Sequence, residues 1–322
     1  MTTTFPMKNL HLRLTARCNK RCEHCFAHLD NKAPELGAKY WLGIIETAEK
    51  MGVSSITLTG GEPFIYSEIH ELLDRLKNLS TPLKIETNGL LLHEYKEELL
   101  RFSSLQTIAL SPGLHYEKSY MEDLMARITA WRQEGLPIML QASVILGNIE
   151  NQLSWLEKFA NHGIPVRLMA GHNGLGSSEN LKNISFESMI QIGRRYAAHP
   201  LIQCELPGIL LGRETSQGCG WNKNRADILP DGHLSPCAAI AWNYPPFVLD
   251  YVDADNLQQV WENHPYLNRI RHLKKEDFKG HCGHCDQFDS CCSSCAATSL
   301  GIKKDLFAGY PLCDFYFGEV EK

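Results

Sequence analysis

The placement of twelve cysteines constrains this chain more than any other feature. Cys18, Cys22 and Cys25 stand near the amino terminus, the next is Cys204, and the remaining eight run from Cys219 to Cys313. Met1 to Leu10 has no apolar core of the kind a secretory signal needs, and no stretch is long and apolar enough to span a bilayer. The expectation is a cytoplasmic protein with no membrane partner. A reducing compartment does not maintain structural disulfides, so this many thiols call for metal or redox chemistry, here in two separate regions. With 322 residues, 43% of them hydrophobic, the chain can bury one large core and a smaller appendage. Its net charge of -5, with both signs interspersed and no Lys/Arg run, argues against nucleic acid as a partner.

From residue 8 to about 170, short apolar or β-branched runs alternate with amphipathic helical stretches, the pattern of βα units around a parallel sheet. Six strands are expected: Leu10 to Leu14, Ser55 to Thr59, Leu83 to Thr87, Thr107 to Ser111, Pro137 to Ile145 and Pro165 to Ala170. Six units, where a closed barrel has eight, leave the barrel open on one side. The glycine-rich segment Gly171 to Ser178 reads as the loop that ends this part, so residues 1–178 form the barrel. Residues 179–218 bridge, with a helix from Phe186 to Ala198, and 219–322 form a cysteine-rich domain. That last region offers one helical stretch, Leu257 to His272, interrupted at Pro265, and a region so poor in apolar pattern needs metal staples.

Cys18, Cys22 and Cys25 form a C-x3-C-x2-C motif just after the first expected strand. Three thiolates so close on one loop can hold three irons of a cubane and leave the fourth open. Zinc is the alternative, and it would have to recruit His24 or His28 to reach four ligands. At the end of the second strand stands Thr59-Gly60-Gly61-Glu62-Pro63. Two glycines let backbone approach a ligand closely, and a carboxylate beside them can accept from an ammonium group. Alone, such a run is a turn; one βα unit after the cysteine loop, it carries more.

Together these two elements resemble the radical S-adenosylmethionine (SAM) superfamily. The resemblance implies a 4Fe-4S cluster on Cys18, Cys22 and Cys25, with Phe26 as the aromatic neighbour common there, and an open iron that chelates the amino and carboxylate groups of SAM. It further implies that Gly60, Gly61, Glu62 and Pro63 hold the methionyl amine. Thr87 and Asn88 at the third strand, Ser111 at the fourth, Gln141 and Ser143 on the fifth and Met169 on the sixth stand where the family reaches ribose, carboxylate and adenine. Each of these can equally be a turn or core position. Pro112-Gly113 departs from the Asp-Gly that many relatives carry after the serine, which weakens the ribose assignment of Ser111.

The later cysteines can be written C-x12-G-x4-C, a gap, C-x2-C-x5-C-x3-C, a second gap and C, with Gly232 as the glycine. This pattern resembles the SPASM domain, a cysteine-rich extension of many radical SAM enzymes. The fold implied is α/β, a partial (βα)6 TIM-like barrel followed by a small SPASM domain. By the same resemblance, Cys282, Cys285, Cys291 and Cys313 hold a distal auxiliary 4Fe-4S cluster, and Cys219, Cys237 and Cys295 a nearer one, for three clusters in all. The nearer cluster then has one iron to fill, by Cys204, Cys292, another side chain, water or substrate. A four-thiolate zinc site on Cys282, Cys285, Cys291 and Cys295 is the alternative.

The resemblance implies an enzyme that reductively cleaves SAM and abstracts a substrate hydrogen atom, fed by an electron donor such as flavodoxin or ferredoxin. The leading expectation is modification of a ribosomally made peptide by cross-linking, thioether formation or epimerisation. Against it, the first strand begins about ten residues from Met1, which leaves no room for a leader-recognition domain. Oxidation or epimerisation of a small molecule such as an aminocyclitol or sugar is the second reading, and a non-catalytic cluster scaffold the third. Cys204 and Cys292 are candidate catalytic hydrogen donors, because a thiol can return a hydrogen atom to a substrate radical; the alternative is burial as inert packing.

Overall fold

A computed structural model describes residues 5–22, 25–112, 117–143, 149–169, 185–215 and 218–318. Its centre is an unclosed sheet with nine strands among these residues, in the order β7-β6-β5-β4-β3-β2-β1-β8-β9. The strands are β1 (Asn9–Arg13), β2 (Ser55–Thr59), β3 (Leu83–Thr87), β4 (Leu105–Leu110), β5 (Ile138–Ser143), β6 (Val166–Met169), β7 (Ile202–Cys204), β8 (Arg225–Ile228) and β9 (Leu234–Ser235). All neighbours pair in parallel except β8 and β9.

The expected six strands are present between residues 9 and 169, and three more follow them in the chain. β7 lies in the bridging region and extends the sheet beyond β6, while β8, from the cysteine-rich region, pairs in parallel with β1. Neither could be seen as a strand from its residues, because β7 has three and β8 reads Arg-Ala-Asp-Ile, too short and too charged for a period-2 signal. The cysteine-rich region is thus built onto the same sheet as the barrel. Gly171 to Ser178, read as the closing loop, lies outside the described residues.

Helices α1 (Ala38–Lys50), α2 (Ile69–Leu76), α3 (Leu92–Leu99), α4 (Lys118–Gln133), α5 (Ile149–Asn161) and α6 (Phe186–Arg195) connect the strands in sequence. α2 buries Ile69, Leu72, Leu73 and Leu76, and α4 buries Met121, Leu124, Ile128 and Trp131, each at helical spacing. Past residue 218 the expectation of one interrupted helix is corrected. The stretch divides into α8 (Leu257–Asn263) and α9 (Pro265–Arg271) at His264-Pro265, and α7 (Ala238–Ala241), α10 (Phe288–Cys291), α11 (Ala296–Lys303) and α12 (Pro311–Phe317) accompany them. No described helix is long and apolar enough to cross a membrane.

Strand register separates two faces. Leu10, Leu12, Ile56, Leu58, Ile85, Ile108, Leu110, Leu140 and Leu168 form the outer face under the helices, all buried. The inner face carries polar groups: His11 and Arg13 on β1, Thr57 and Thr59 on β2, Glu86 on β3, Gln141 on β5, Arg167 on β6, and Arg225 and Asp227 on β8. Arg13 Nε donates to Asp227 Oδ1 at 3.1 Å, Arg225 Nε to Asp227 Oδ2 at 3.4 Å, and Thr59 Oγ1 to Glu86 Oε2 at 3.1 Å. Burial alone would raise the Asp227 carboxyl, but Arg225 and Arg13 hold it down to about 2.

His11 sits in this network with its ring 3.5 Å from Arg225, and burial, aided by Arg225, pushes its pKa from 6.5 to about 4. Between those values the unfolded chain binds a proton that the folded chain refuses, so folded stability drops as pH falls from about 6.5 towards 4. At pH 5 the loss amounts to about 2 kcal/mol. The drop in unfolding temperature from pH 7 to pH 5 should therefore be smaller for His11→Gln than for the parent in thermal melts followed by circular dichroism.

Candidate active site

The cysteine loop leaves β1 at Leu14 and is tied back by Asp30 N–H donating to the carbonyl of Ala16 at 3.1 Å. Cys18 N–H donates to Asn31 Oδ1 at 3.1 Å, and Cys25 N–H to the Cys22 carbonyl at 3.1 Å. Cys18 is buried, Cys22 and Cys25 half-buried, and each thiol is within electrostatic reach of the other two. Burial pushes the Cys18 and Cys25 thiols up. Phe26 packs on Trp242 with ring centroids 5.8 Å apart, His28 stacks on the same indole, and the Arg13 guanidinium lies over both Phe26 and Trp242. A residue just after α7 thus floors the amino-terminal loop, a contact with no signal in the sequence. His24 lies outside the described residues.

Gly60 and Gly61 sit under that loop. Gly61 N–H donates to the Thr15 carbonyl at 2.8 Å and Glu62 N–H to the Arg17 carbonyl at 2.9 Å. A Cβ on Gly61 would stand 2.0 Å from the Arg17 carbonyl oxygen, and one on Gly60, whose φ is 145°, 2.6 Å from that of Thr15. The close approach that the glycines permit is therefore, first, that of the cysteine loop itself. Glu62 is 1% exposed, and its carboxylate accepts from Thr87 Oγ1 at 2.7 Å, Asn88 N–H at 2.8 Å and Phe64 N–H at 3.2 Å. Burial outweighs these bonds and raises its pKa. Pro63 is buried behind it and opens a short 3-10 turn.

Asn88 Nδ2 donates to Asn19 Oδ1 at 2.8 Å, and Lys20 Nζ to the Pro112 carbonyl, so the ends of β3 and β4 are fastened to the cysteine loop. Asn19 and Lys20 were missed by sequence reasoning, although they stand inside the cysteine motif. Ser111 follows β4 and donates its N–H to the Thr87 carbonyl at 2.8 Å. Met169 ends β6 in the inner-face row with Arg167, opposite Ser143, whose side chain lies outside the described residues. Gln141 Oε1 on the same face is buried without a partner. Of the residues expected around SAM, Glu62 and Asn88 are thus tied directly to the cysteine loop, while Gln141, Ser143 and Met169 stand on β5 and β6.

Cys282, Cys285, Cys291 and Cys313 line one cavity, with Phe288 and Ile209 among its apolar walls. Cys219, Cys237 and Cys295 are within electrostatic reach of one another, beside Arg225; Glu205 is within reach of Cys219 and Cys295. Cys291 and Cys295 belong to different groups although three residues separate them. Those three, Cys292, Ser293 and Ser294, all have left-handed φ (44°, 59° and 50°), a costly conformation that reverses the chain between the two sets. Among the described residues no three His, Cys, Asp or Glu side chains are gathered closely enough for one metal ion. Four thiols around a common cavity do fit a cubane, whose irons sit at separated corners.

The two surplus cysteines are placed apart from the polar inner face. Cys204 pairs with Leu168 in register and so shares its outer, helix-facing row, near Tyr196, with burial pushing its thiol up to about 11. Cys292 is 5% exposed within the apolar packing of the cysteine-rich region, its carbonyl accepting from Trp221 Nε1 at 3.3 Å and its thiol pushed up to about 12 by burial.

Residues 12–182 match the sequence family described as the Radical SAM superfamily, more than half of the chain, and residues 219–286 match SPASM, an iron-sulfur cluster-binding domain. The chain belongs to the radical SAM superfamily. Its cofactors are SAM and 4Fe-4S clusters, three clusters being typical of enzymes with both domains. This radical SAM enzyme is 26% identical over 294 residues to a PqqA peptide cyclase of Gluconobacter oxydans, covering 84% of the chain and 81% of that protein. It is 27% identical over 200 residues to the sporulation killing factor maturation protein SkfB of Bacillus subtilis, covering 58% and 49%. In fold it is similar to SuiB of Streptococcus suis, solved bound to precursor peptide SuiA, with a TM-score of 0.75 at 20% identity over 96% of this chain and 76% of that one.

Proposed function

We propose that this radical SAM enzyme modifies a ribosomally made precursor peptide, removing a hydrogen atom from it and directing the resulting carbon radical into a new bond. The observation that carries the reading is the span of the similarity to PqqA peptide cyclase, most of both chains rather than the SAM-cleaving part alone. We assign the first cluster to Cys18, Cys22 and Cys25, the distal one to Cys282, Cys285, Cys291 and Cys313, and the nearer one to Cys219, Cys237 and Cys295. The grouping of the thiols supports these sets. The working division into residues 1–178, 179–218 and 219–322 follows the same chemistry, with β8 as the strand that joins the last part to the first.

A 4Fe-4S cluster held by Cys18, Cys22 and Cys25, with SAM beside it, would supply the radical chemistry that removes the substrate hydrogen. Around it, Glu62 fixes the loop at Thr87 and Asn88, and Asn88 and Lys20 fix the cysteine loop in turn. Gly60 to Pro63 would hold the amine of SAM, Thr87, Asn88 and Ser111 would reach its ribose and carboxylate, and Phe26, Ser143 and Met169 would be its other contacts. An epimerase needs a hydrogen donor for its substrate radical. Cys204 on the outer face and Cys292 in the core are poorly placed for that role, which favours bond formation with net oxidation. The oxidation needs an electron acceptor, the role we give the auxiliary clusters, and the first cluster needs a flavodoxin- or ferredoxin-type donor of the cytoplasm.

The test is anaerobic reconstitution followed by incubation with SAM, reductant and short peptides encoded beside this gene. About twelve irons per chain, reductant-dependent 5′-deoxyadenosine and a peptide lighter by two hydrogens are expected. Unchanged peptide mass with deuterium uptake from heavy water would indicate epimerisation instead. Stoichiometric zinc, or no deoxyadenosine, would sink the enzymatic reading altogether.

A further inference from the structure

The cavity ringed by Cys282, Cys285, Cys291 and Cys313 has a fifth polar wall, Tyr310. Tyr310 is 1% exposed, among the largest fully buried side chains, and its hydroxyl has no hydrogen-bond partner among the described residues. A buried hydroxyl left unpaired is costly, so an orphan on a residue that lines a cavity points to a guest that accepts from it. The residue is rigidly placed. It is the N-cap of α12, the helix that carries Cys313, and its own N–H donates to Cys282 Sγ at 3.3 Å. Tyr310 also stands within electrostatic reach of Cys295 of the nearer set, as well as of Cys313 and Cys291 of the distal one. It is therefore within reach of both thiol groups, as Cys292 is. Ser293 and His281 line the same cavity, and the Nε2 of His281 is likewise buried without a partner.

We infer that Tyr310 is a positioning residue of the auxiliary-cluster pair: its phenol hydroxyl donates a hydrogen bond to a sulfur of the cluster in this cavity. The inference rests on the proposed assignment of these thiols to cubanes. A sulfur that accepts a hydrogen bond gives up negative charge to the donor, which favours the reduced cluster. The hydroxyl thereby sets how readily the distal cluster takes an electron relative to the nearer one. Among the described residues this is the group best placed to tune one auxiliary cluster against the other.

The experiment compares Tyr310→Phe with its parent, both built on a background in which Cys18, Cys22 and Cys25 are Ala, so that only auxiliary clusters contribute. Phe keeps the ring and its packing and removes only the hydroxyl. Iron per chain should be unchanged, and the reduction equilibrium of one auxiliary cluster should become at least tenfold less favourable in EPR-monitored titration, a change of 59 mV for one electron. The parent's reduced cluster should also show an exchangeable proton coupling that the variant lacks. Both potentials and the coupling unchanged would overturn the inference, leaving Tyr310 as packing. Loss of iron would overturn it too, because the oxygen would then be a ligand rather than a donor to sulfur. Should the parent itself hold zinc or lack the auxiliary iron, it is the cluster assignment that fails.

Discussion

Replacing Cys18, Cys22 and Cys25 together by Ala is expected to abolish reductant-dependent 5′-deoxyadenosine formation while leaving about eight irons per chain. The separation is expected because the two regions are held by different contacts. The front loop is fixed by Asn31, by the carbonyls of Thr15 and Arg17 against Gly61 and Glu62, and by Asn19 against Asn88. The later thiols are set by the turn at Cys292 to Ser294 and by the packing of α10 to α12. Removing three small side chains, only one of them buried, should cost little of the core. Iron analysis and chromatography of the SAM products read the two halves independently. Undiminished deoxyadenosine would refute the assignment of the first cluster, and loss of all iron would refute the independence of the two regions.

The presence of clustered thiols was legible from residue spacing, and their division into sets from the family resemblance, because thiolate ligation is a local demand. Cys18, Cys22 and Cys25 share one loop, and Cys282, Cys285 and Cys291 lie within ten residues of one another in sequence, so the chain itself brings them together. What could not be read was set by pairing between distant segments. β8 became a strand by lying along β1, and its Arg225 and Asp227 are tolerated there because Arg13 and His11 face them. Trp242 under Phe26, and Tyr310 within reach of both later thiol sets, likewise depend on tertiary packing that no periodicity encodes. The glycines were read as a place where backbone approaches a ligand, whereas among the described residues it is the chain's own cysteine loop that stands against them.

That difference has a consequence for Gly61→Ala, which is expected to cost the first cluster rather than only weaken SAM binding. The added Cβ would stand 2.0 Å from the Arg17 carbonyl oxygen and 3.1 Å from Cys18 Cβ, and a backbone carbonyl cannot swing aside as a flexible side chain would. The loop has to move. That breaks the bond from Glu62 N–H to Arg17 and displaces the first of the three thiols. Iron should fall from about twelve to about eight per chain, with SAM cleavage lost and the auxiliary clusters retained. Gly52→Ala is the control: Gly52 has a left-handed φ, 75°, which Gly61 does not, and among the described residues nothing lies within 4 Å of its would-be Cβ. Strain alone costs about 1 kcal/mol there and should leave iron and turnover unchanged. If Gly61→Ala instead keeps its full iron and loses only affinity for SAM, the glycine serves the ligand directly, and the cysteine loop is more pliant than its hydrogen bonds indicate.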